Sequence, residues 1–349
     1  MAEKLKACLI GCGRMGATID DEVKDRPDAH LFLPYSHAAG YKAVEDVELV
    51  AACDVLPEKV RAAQERYGIP RGYTDYREMI LKEKPDIVSV ATRPKSHAEI
   101  VIFAAEHGVK GIFCEKPLCC SMEEADRMLE ACRKHGVKFN YGTLRRYVPL
   151  YRTMRRLAEE GELGEVRCVI AHCPGSAQWG LTHASDMLLF LAGDPEVDFV
   201  QGYLPIPPEE FKGDRLEIDP PIPMGFVRFK NGVLGYLTQS PGWEFELVGT
   251  EGKVRSLNNG LGLQLRKRDE HGRFVEVKPP EFPYESGTVN AIRELVEAIR
   301  TDGETSGDIA LAHRGQEMIL GFIESHRLGG ARVEMPLKNR SLYVCRPDW

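Results

Sequence analysis

The sequence predicts two domains of different class: an N-terminal α/β domain with a doubly wound parallel sheet, and a C-terminal α+β domain with a mainly antiparallel, open-faced sheet. Strand-like and helix-like segments alternate strictly through residues 1–141, which predicts right-handed crossovers and a parallel sheet. Over residues 142–349 short strands of alternating hydrophobicity dominate instead. A chain of 349 residues is long enough for two buried cores.

The first strand leads directly into a glycine-rich turn. An apolar run, Leu5–Ile10, is followed at once by a complete G-x-G-x-x-G pattern. In a Rossmann domain the first glycine makes the tight turn, the second lets the backbone approach a pyrophosphate, and the third lets the next helix pack on the strand. That helix would also offer free N–H groups to the anion. The pattern predicts a dinucleotide site formed by Gly11, Cys12, Gly13, Arg14, Met15 and Gly16.

An acidic residue follows the second predicted strand, Val47–Cys53. Asp54 stands where a Rossmann domain holds the adenosine ribose diol. It lies 38 residues beyond Gly16, against a usual spacing of about 20. The next residue, Val55, is not basic, and a carboxylate would repel a 2′-phosphate. The sequence therefore favours NAD over NADP as the cofactor.

An extra segment at residues 17–36 accounts for the long spacing. Its prolines and charges favour a loop over a helix. Because it begins at the glycine turn, it would lie near the cofactor. It is either a lid that helps to select the substrate or a solvated surface excursion.

The other elements follow from hydrophobic period, helix caps and turn residues. In the first domain the strands are predicted at 86–91, 109–114 and 137–141, and the helices at 57–67, 97–107 and 121–135. In the second domain the strands are predicted at 166–172, 197–204, 225–229, 233–240, 245–249 and 253–257, and the helices at 151–161, 182–192, 287–300 and 308–326. Asn231-Gly232 predicts a hairpin turn between two of these strands.

Composition excludes several classes of partner. The formal net charge is −7, without a long basic run, which argues against nucleic acid and against an anionic membrane. No apolar stretch approaches the roughly 20 residues that span a bilayer. The chain enters its first strand at once, so we expect no signal peptide and a cytoplasmic protein. The ten scattered cysteines predict free, buried thiols rather than a zinc site.

A second motif, Glu115-Lys116-Pro117, stands at the end of the predicted fifth strand. It resembles the Gfo/Idh/MocA oxidoreductase family, the group of glucose–fructose oxidoreductase and inositol dehydrogenase. Residues 36–54, 145–166 and 183–193 are also similar to that family, so the resemblance covers nearly the whole chain. It implies a Rossmann domain followed by a sheet that often forms oligomer contacts, hence a homodimer or homotetramer. It also implies hydride exchange between nicotinamide and a secondary alcohol of a sugar, glycoside or polyol.

The resemblance implies roles for several side chains. Lys116 would be the base for the hydroxyl proton, since the positive charge of NAD⁺ and partial burial would lower the pKa of its ammonium group. Glu115 would hold the strand end, and His183 would share the proton transfer. Asp186, on the same helix face, would bind a substrate hydroxyl or orient a neighbour. The alternatives are a surface lysine and a structural histidine.

Two positions depart from the family pattern. Inositol-dehydrogenase-like members carry an Asp four residues before the active-site His, whereas this chain has Trp179, which either stacks on a sugar ring or packs in the core. Many members have Thr-Pro-Asn after the fourth strand, whereas this chain has Thr92-Arg93-Pro94. Arg93 would bind cofactor phosphates or an acidic sugar, or brace the loop. Arg146 would reach the substrate or pack between the domains.

Three functions remain open at this stage. The first is an NAD-dependent sugar or polyol dehydrogenase with a small carbohydrate as its partner. The second is a redox-neutral glycoside hydrolase, lyase or epimerase that uses tightly bound NAD through a transient keto-sugar. The third is a regulator that binds the cofactor without turnover. His172 and His183 have no further ligands at metal-site spacing, so no metal is expected.

Overall fold

The computed structural model describes residues 3–349, which form two compact units. The first unit contains the described residues up to Cys119 together with Glu124–Tyr147 and Glu285–Ala312. The second contains Cys120–Glu123, Val148–Tyr284 and His313–Trp349. The division into two functional domains at residue 141 stays a prediction.

The regular elements number eighteen strands and ten α-helices within residues 3–349. The strands are β1 (Leu5–Ile10), β2 (Val47–Cys53), β3 (Arg71–Tyr73), β4 (Ile87–Val90), β5 (Gly111–Cys114), β6 (Lys138–Tyr141), β7 (Val166–His172), β8 (Val197–Tyr203), β9 (Phe211–Lys212), β10 (Arg215–Leu216), β11 (Met224–Phe229), β12 (Leu234–Thr238), β13 (Glu244–Gly249), β14 (Gly252–Leu257), β15 (Gly262–Arg268), β16 (Phe274–Val277), β17 (Val333–Glu334) and β18 (Tyr343–Val344). The helices are α1 (Asp20–Val23), α2 (His37–Lys42), α3 (Pro57–Tyr67), α4 (Tyr76–Glu83), α5 (Pro94–Glu106), α6 (Met122–His135), α7 (Pro149–Glu159), α8 (Thr182–Leu191), α9 (Gly287–Thr301) and α10 (Ile309–Arg327).

The first unit is built on a six-stranded parallel sheet in the order β3-β2-β1-β4-β5-β6. Its central strands are almost completely buried, as expected for a parallel sheet covered on both faces. The strand order reverses between β1 and β4. In such sheets the ligand crevice lies at the carboxyl ends of the strands on either side of this point. The predicted Rossmann-type sheet is confirmed.

Helix α9 belongs to the first unit although it follows the second sheet in the sequence. Ile292 and Leu295 of α9 share a core with residues such as Ala52 and Phe113. A Cβ on Gly111, the first residue of β5, would lie 2.6 Å from the Cδ1 of Ile299. Glycine therefore lets the helix approach the sheet closely.

The second unit is built on a nine-stranded sheet in the order β16-β15-β14-β13-β7-β12-β11-β8-β17. Every pairing is antiparallel except that of β7 with β12, so the predicted mainly antiparallel sheet is confirmed. The predicted hairpin at Asn231-Gly232 joins β11 to β12, with Gly232 at φ +89°. Strands β15 and β16 and a small sheet of β9, β10 and β18 had no sequence prediction.

Two general expectations can be compared with the whole described chain. All ten cysteines are free, nine of them buried and Cys168 half-buried, as predicted. In residues 3–349 no helix combines the length and the apolar character that crossing a bilayer requires.

Candidate active site

The glycine turn lies at the carboxyl end of β1, between the ends of β2 and β4. The N–H of Gly11 donates to the carbonyl of Cys53 at 2.8 Å. A Cβ on Gly11, at φ +94°, would lie 2.6 Å from the carbonyl oxygen of Ala91, and one on Gly16 would lie 1.9 Å from that of Gly11. A Cβ on Gly13 would meet nothing within 4 Å. Packing therefore requires the first and third glycines, and the second leaves open space where a ligand can approach the backbone.

Asp54 is fixed at the edge of this turn. One carboxylate oxygen accepts the N–H of Cys12 at 2.8 Å, and the other accepts the N–H of Leu56 at 3.0 Å. The carboxylate is half-buried at the end of β2. This is the place and the chemistry that a ribose diol requires.

A cavity of about 310 Å³ lies between the turn and α3. Its charged lining residues are Arg14, Lys59 and Arg66. Arg14 pairs with Glu22 at 2.7 Å, and Arg66 pairs with Asp21 at 2.5 Å. Acidic groups of the extra segment therefore neutralise two of these three basic side chains.

The helix expected after the glycine turn is short. A single π-helical turn, Arg14–Thr18, follows the glycines and leads into the four-residue α1. The prediction that residues 17–36 favour a loop is wrong in part, because α1 and a 3₁₀ turn at Ala29–Leu31 lie within them. The reason is local: Asp20 and its acidic neighbours favour the first turn of a helix, whereas the prolines stop it from extending.

Side chains fix the end of the extra segment to the body of the first unit. The carboxylate of Asp20 accepts the N–H of Tyr35 at 3.0 Å and that of Ser36 at 2.9 Å. From the start of α9, the hydroxyl of Ser286 donates to the carbonyl of Pro34 at 2.5 Å and that of Thr288 to the carbonyl of Tyr35 at 2.7 Å. These bonds favour a fixed wall over a hinged lid.

The Glu115-Lys116-Pro117 turn follows β5, the next strand after β4. Glu115 is only 4% exposed, whereas Lys116 is half-buried. One carboxylate oxygen of Glu115 lies 3.1 Å from Nε2 of His37, and the other accepts the N–H of Lys116 at 3.3 Å. Burial by itself raises the pKa of Glu115, but the hydrogen bond and charge of His37 bring that pKa below its usual value. The carboxylate is therefore ionised and accepts from Nε2.

His37 itself is completely buried. Its Nδ1 is hydrogen-bonded to the hydroxyl of Ser89 on β4, and its ring stacks on Phe113 with centroids 4.2 Å apart. No sequence pattern assigned a role to this residue. The available signal was a histidine directly after Ser36, whose hydroxyl accepts the N–H of Ala39 and caps α2.

A second buried histidine, His97, contacts the same turn at the residue after Lys116. Its Nδ1 lies 3.0 Å from the carbonyl oxygen of Pro117, and its Nε2 lies 3.2 Å from that of Thr92. Burial lowers the pKa of His97, and a neutral imidazole carries a single N–H, so the neutral ring donates to one of these two carbonyl oxygens at a time. His97 thus joins the loop after β4, where Arg93 is exposed, to the turn that carries Lys116.

In the second unit, Trp179 lies on the loop between β7 and α8. The carboxylate of Asp219 accepts the hydroxyl of Ser176 at 2.5 Å, the N–H of Gln178 at 2.8 Å and the N–H of Trp179 at 3.0 Å. The Trp179 side chain stays 39% exposed, with its ring centroid 6.1 Å from that of Trp349. Exposure excludes full packing in a core and leaves the ring accessible to a sugar.

His183 and Asp186 lie on α8, as predicted. His183 is half-buried, and its ring lies nearly perpendicular to that of Trp243 with centroids 5.9 Å apart. Asp186 is only 3% exposed. Sequence analysis named neither Trp243 nor Trp349, because nothing in their local sequence distinguishes them from core aromatic residues.

Arg146 lies in the first unit and is completely buried. Its guanidinium donates to the carbonyl of Ser306 at 2.7 Å. The bond supports a structural position, and the expected contact of Arg146 with substrate stays a prediction.

The predicted site residues thus form two groups. The first unit brings the glycine turn, Asp54, Thr92, Glu115 and Lys116 to the carboxyl edge of one sheet. The second unit carries Trp179, His183 and Asp186. Within residues 3–349, no group of three or more His, Cys, Asp or Glu side chains is placed to hold a metal ion.

Comparison with known proteins gives the following matches. Residues 5–143 match the family model GFO_IDH_MocA, described as an oxidoreductase family with an NAD-binding Rossmann fold. The chain is 31% identical to a D-apiose dehydrogenase of Paraburkholderia graminis over 162 residues, which are 46% of this chain and 38% of that protein. It is 28% identical to a myo-inositol 2-dehydrogenase of Thermotoga maritima over 239 residues, which are 62% of this chain and 70% of that protein.

The fold has solved counterparts. A levoglucosan dehydrogenase in complex with NADH and levoglucosan superposes with a TM-score of 0.75 at 24% identity, covering 96% of this chain and all of that one. At this identity the likeness shows the fold. The chain spans well under half the length of the D-apiose dehydrogenase that it matches.

Proposed function

We propose that the chain is a member of the Gfo/Idh/MocA oxidoreductase family and an NAD-dependent oxidoreductase that transfers a hydride between nicotinamide and a secondary alcohol of a sugar, glycoside or polyol. One observation carries this proposal. The glycine turn, the bound carboxylate of Asp54 and the Lys116 turn lie along one carboxyl edge of a sheet whose order reverses there. Relatives named as apiose and inositol dehydrogenases support the substrate class.

The residues of the first unit fit a dinucleotide. Gly13 leaves room for the pyrophosphate, and Asp54 is held where a ribose diol would bind. Thr92, Arg93 and Glu115 complete the proposed cofactor contacts. We expect NAD to be preferred to NADP because Asp54 is acidic and two nearby basic groups are already paired with acids. Bound nicotinamide would supply the hydride acceptor in the oxidation direction and the hydride donor in the reduction direction.

Protein side chains would handle the proton and the substrate. In the oxidation direction, the amine of Lys116 takes the hydroxyl proton, and the imidazole of His183 shares this transfer. The exposed ring of Trp179 stacks on the apolar face of the sugar, and Asp186 binds a hydroxyl or orients His183. An assembly of two or four copies through the open sheet also belongs to this proposal, and its test is the molar mass in solution.

The first prediction concerns Lys116. Lys116→Met keeps the length of the side chain and removes the base, so kcat falls by about 10²- to 10⁴-fold while the dissociation constant for NAD stays nearly the same. A screen of hexoses, pentoses, glycosides and inositols with NAD⁺ or NADP⁺ first identifies the substrate. Stopped-flow NADH formation then gives kcat, and quenching of tryptophan fluorescence gives NAD binding.

The matched control is Lys110→Met, an exposed lysine just before β5 that pairs with Asp86 at 2.7 Å. It should turn over at the wild-type rate. The double variant of Lys116→Met with His183→Ala should be hardly slower than the single variants if the two groups act on one proton. Wild-type turnover by Lys116→Met would refute the assigned role. Turnover without net NADH would instead indicate the redox-neutral chemistry.

A further inference from the structure

The turn that carries Lys116 contacts two completely buried histidines, both in the first unit. His37 contacts the residue before the lysine, through the carboxylate of Glu115 at 3.1 Å. His97 contacts the residue after it, through the carbonyl of Pro117 at 3.0 Å. The second ring nitrogen of His37 contacts Ser89 on β4, and that of His97 contacts Thr92 on the loop after β4.

We propose that His37 and His97 are positioning residues that fix the Glu115–Pro117 turn, and with it the amine of Lys116, against the end of β4. This inference rests on the proposed role of Lys116 as the base. Under this proposal, neither histidine touches substrate or cofactor. Both act through the groups on either side of the lysine.

Each imidazole contacts the lysine turn with one ring nitrogen and the β4 side with the other, but the two histidines use opposite nitrogens for the turn. His37 directs Nε2 to the lysine turn and Nδ1 to Ser89. His97 directs Nδ1 to the lysine turn and Nε2 to Thr92. A glutamine amide can replace the donor at Nε2 of a histidine, and an asparagine amide can replace the donor at Nδ1. The four resulting variants therefore separate the bond to the lysine turn from the bond to the β4 side.

The surroundings of Glu115 make the pairing with His37 necessary. A buried carboxylate needs a partner for each oxygen, and here the partners are the His37 ring and the N–H of Lys116. Gly142 keeps this place open, because a Cβ there would lie 2.8 Å from Oε1 of Glu115. The titratable groups that interact electrostatically with the carboxylate are His37, Lys116, His97, Tyr35 and Cys114.

The test compares His37→Asn, His37→Gln, His97→Asn and His97→Gln in the full chain. At position 37 the asparagine variant loses the bond to the lysine turn, so its kcat should fall by about 10- to 100-fold, with a smaller fall for glutamine. At position 97 the order reverses, and the glutamine variant should be the slower one. His97→Asn should also weaken NAD binding, since it gives up the contact of Nε2 with the carbonyl of Thr92, whereas both His37 variants should bind NAD like the wild type.

A second readout does not depend on turnover. Acetylation of Lys116 by acetic anhydride, followed by mass spectrometry across a pH series, reports how the amine is held. In His37→Asn and His97→Gln, which lose the contact with the lysine turn, Lys116 should be acetylated several-fold faster than in the wild type. His135→Asn and His135→Gln, at an exposed histidine ending α6, are the matched controls and should change neither readout. Ser89→Ala, which removes only the partner of Nδ1, serves if a His37 variant does not fold, and should resemble His37→Gln.

Opposite rank orders at positions 37 and 97, in kcat and in labelling, support the proposal. The same rank order at both positions, or labelling equal to the wild type in all four variants, overturns it. Lys116→Met could keep its turnover while the rank orders of labelling at positions 37 and 97 are still opposite. That result would support the positioning role of the two histidines and refute the catalytic role of Lys116.

Discussion

Asp54 is the residue on which the choice of cofactor depends. Both of its carboxylate oxygens already accept backbone N–H groups, from Cys12 in the glycine turn and from Leu56 in its own loop. Carboxylate oxygens can each accept a further hydrogen bond, so two ribose hydroxyls can still donate to them. A 2′-phosphate would instead bring negative charge next to a fixed negative charge.

Replacing this charge should change the preference between the two cofactors. Asp54→Asn keeps the shape and one acceptor oxygen, but it loses the charge and a hydrogen bond worth about 1.5–3 kcal/mol. We expect the dissociation constant for NAD to rise about 10- to 100-fold and that for NADP to fall, which titration of tryptophan fluorescence would measure. Asp46→Asn, at an exposed aspartate that pairs with Arg300, should leave both constants unchanged. A wild-type preference for NADP would refute the assignment.

At this scale the sequence predicted the residues that stand in motifs and missed those whose partners are remote. The glycines, Asp54 and Glu115-Lys116-Pro117 follow strand ends, and their places in the sheet follow from the strand pattern. His37 meets Glu115 across 78 positions of sequence. Nothing local in a buried helix start distinguishes a histidine that is hydrogen-bonded to a carboxylate from one that only packs.

Among the elements, the extra segment differs most from expectation. Composition predicted a loop, and the structure adds short helical turns and a fixed end. The carboxylate of Asp20 closes the segment, because it accepts N–H groups 15 and 16 residues further on. Such a bond needs the three-dimensional path of the chain, so only the presence of the segment and its starting point could be predicted.

Removing this carboxylate should release the end of the segment. Asp20→Ala leaves the half-buried N–H groups of Tyr35 and Ser36 without their acceptor, which should cost about 1–3 kcal/mol in the free energy of unfolding. Hydrogen exchange at these two amides should accelerate well before global unfolding. Urea denaturation and exchange mass spectrometry measure the two effects.

The control for this prediction is Asp28→Ala within the same segment. Asp28 pairs with the exposed Arg26, an interaction worth at most about 1 kcal/mol, and loss of this pair should leave exchange at Tyr35 and Ser36 unchanged. Equal exchange in Asp20→Ala and in the wild type would mean that Asp20 is not needed to hold the end of the segment, where the Ser286 and Thr288 hydroxyls also bind.

For the molecule as a whole, local patterns predicted both sheets but not how the chain is shared between the units. Strand alternation and the Asn231-Gly232 turn are local signals, and the sheets that they predict are present. The apolar face of α9 could cover any sheet. Its place is decided by fit, since a Cβ on Gly40 would lie 2.7 Å from the side chain of Thr288. Sequence periodicity does not contain that information.

Helix α9 completes the core of the first unit although it follows the second sheet in the sequence. A fragment of residues 3–147 would leave exposed the faces of α2, β5 and β6 against which Ile292, Leu295 and Val296 are buried. We expect this fragment to lack a cooperative thermal transition and to bind NAD poorly, because burial of large aliphatic side chains contributes about 1.5–3 kcal/mol each. Joining residues 285–312 to it through a flexible linker should restore both properties, as near-ultraviolet circular dichroism and NAD titration would show.

The same linked fragment with Leu295→Ala should lose about 2–5 kcal/mol of stability. Cooperative unfolding of residues 3–147 alone would show that the helix is an addition to a complete core.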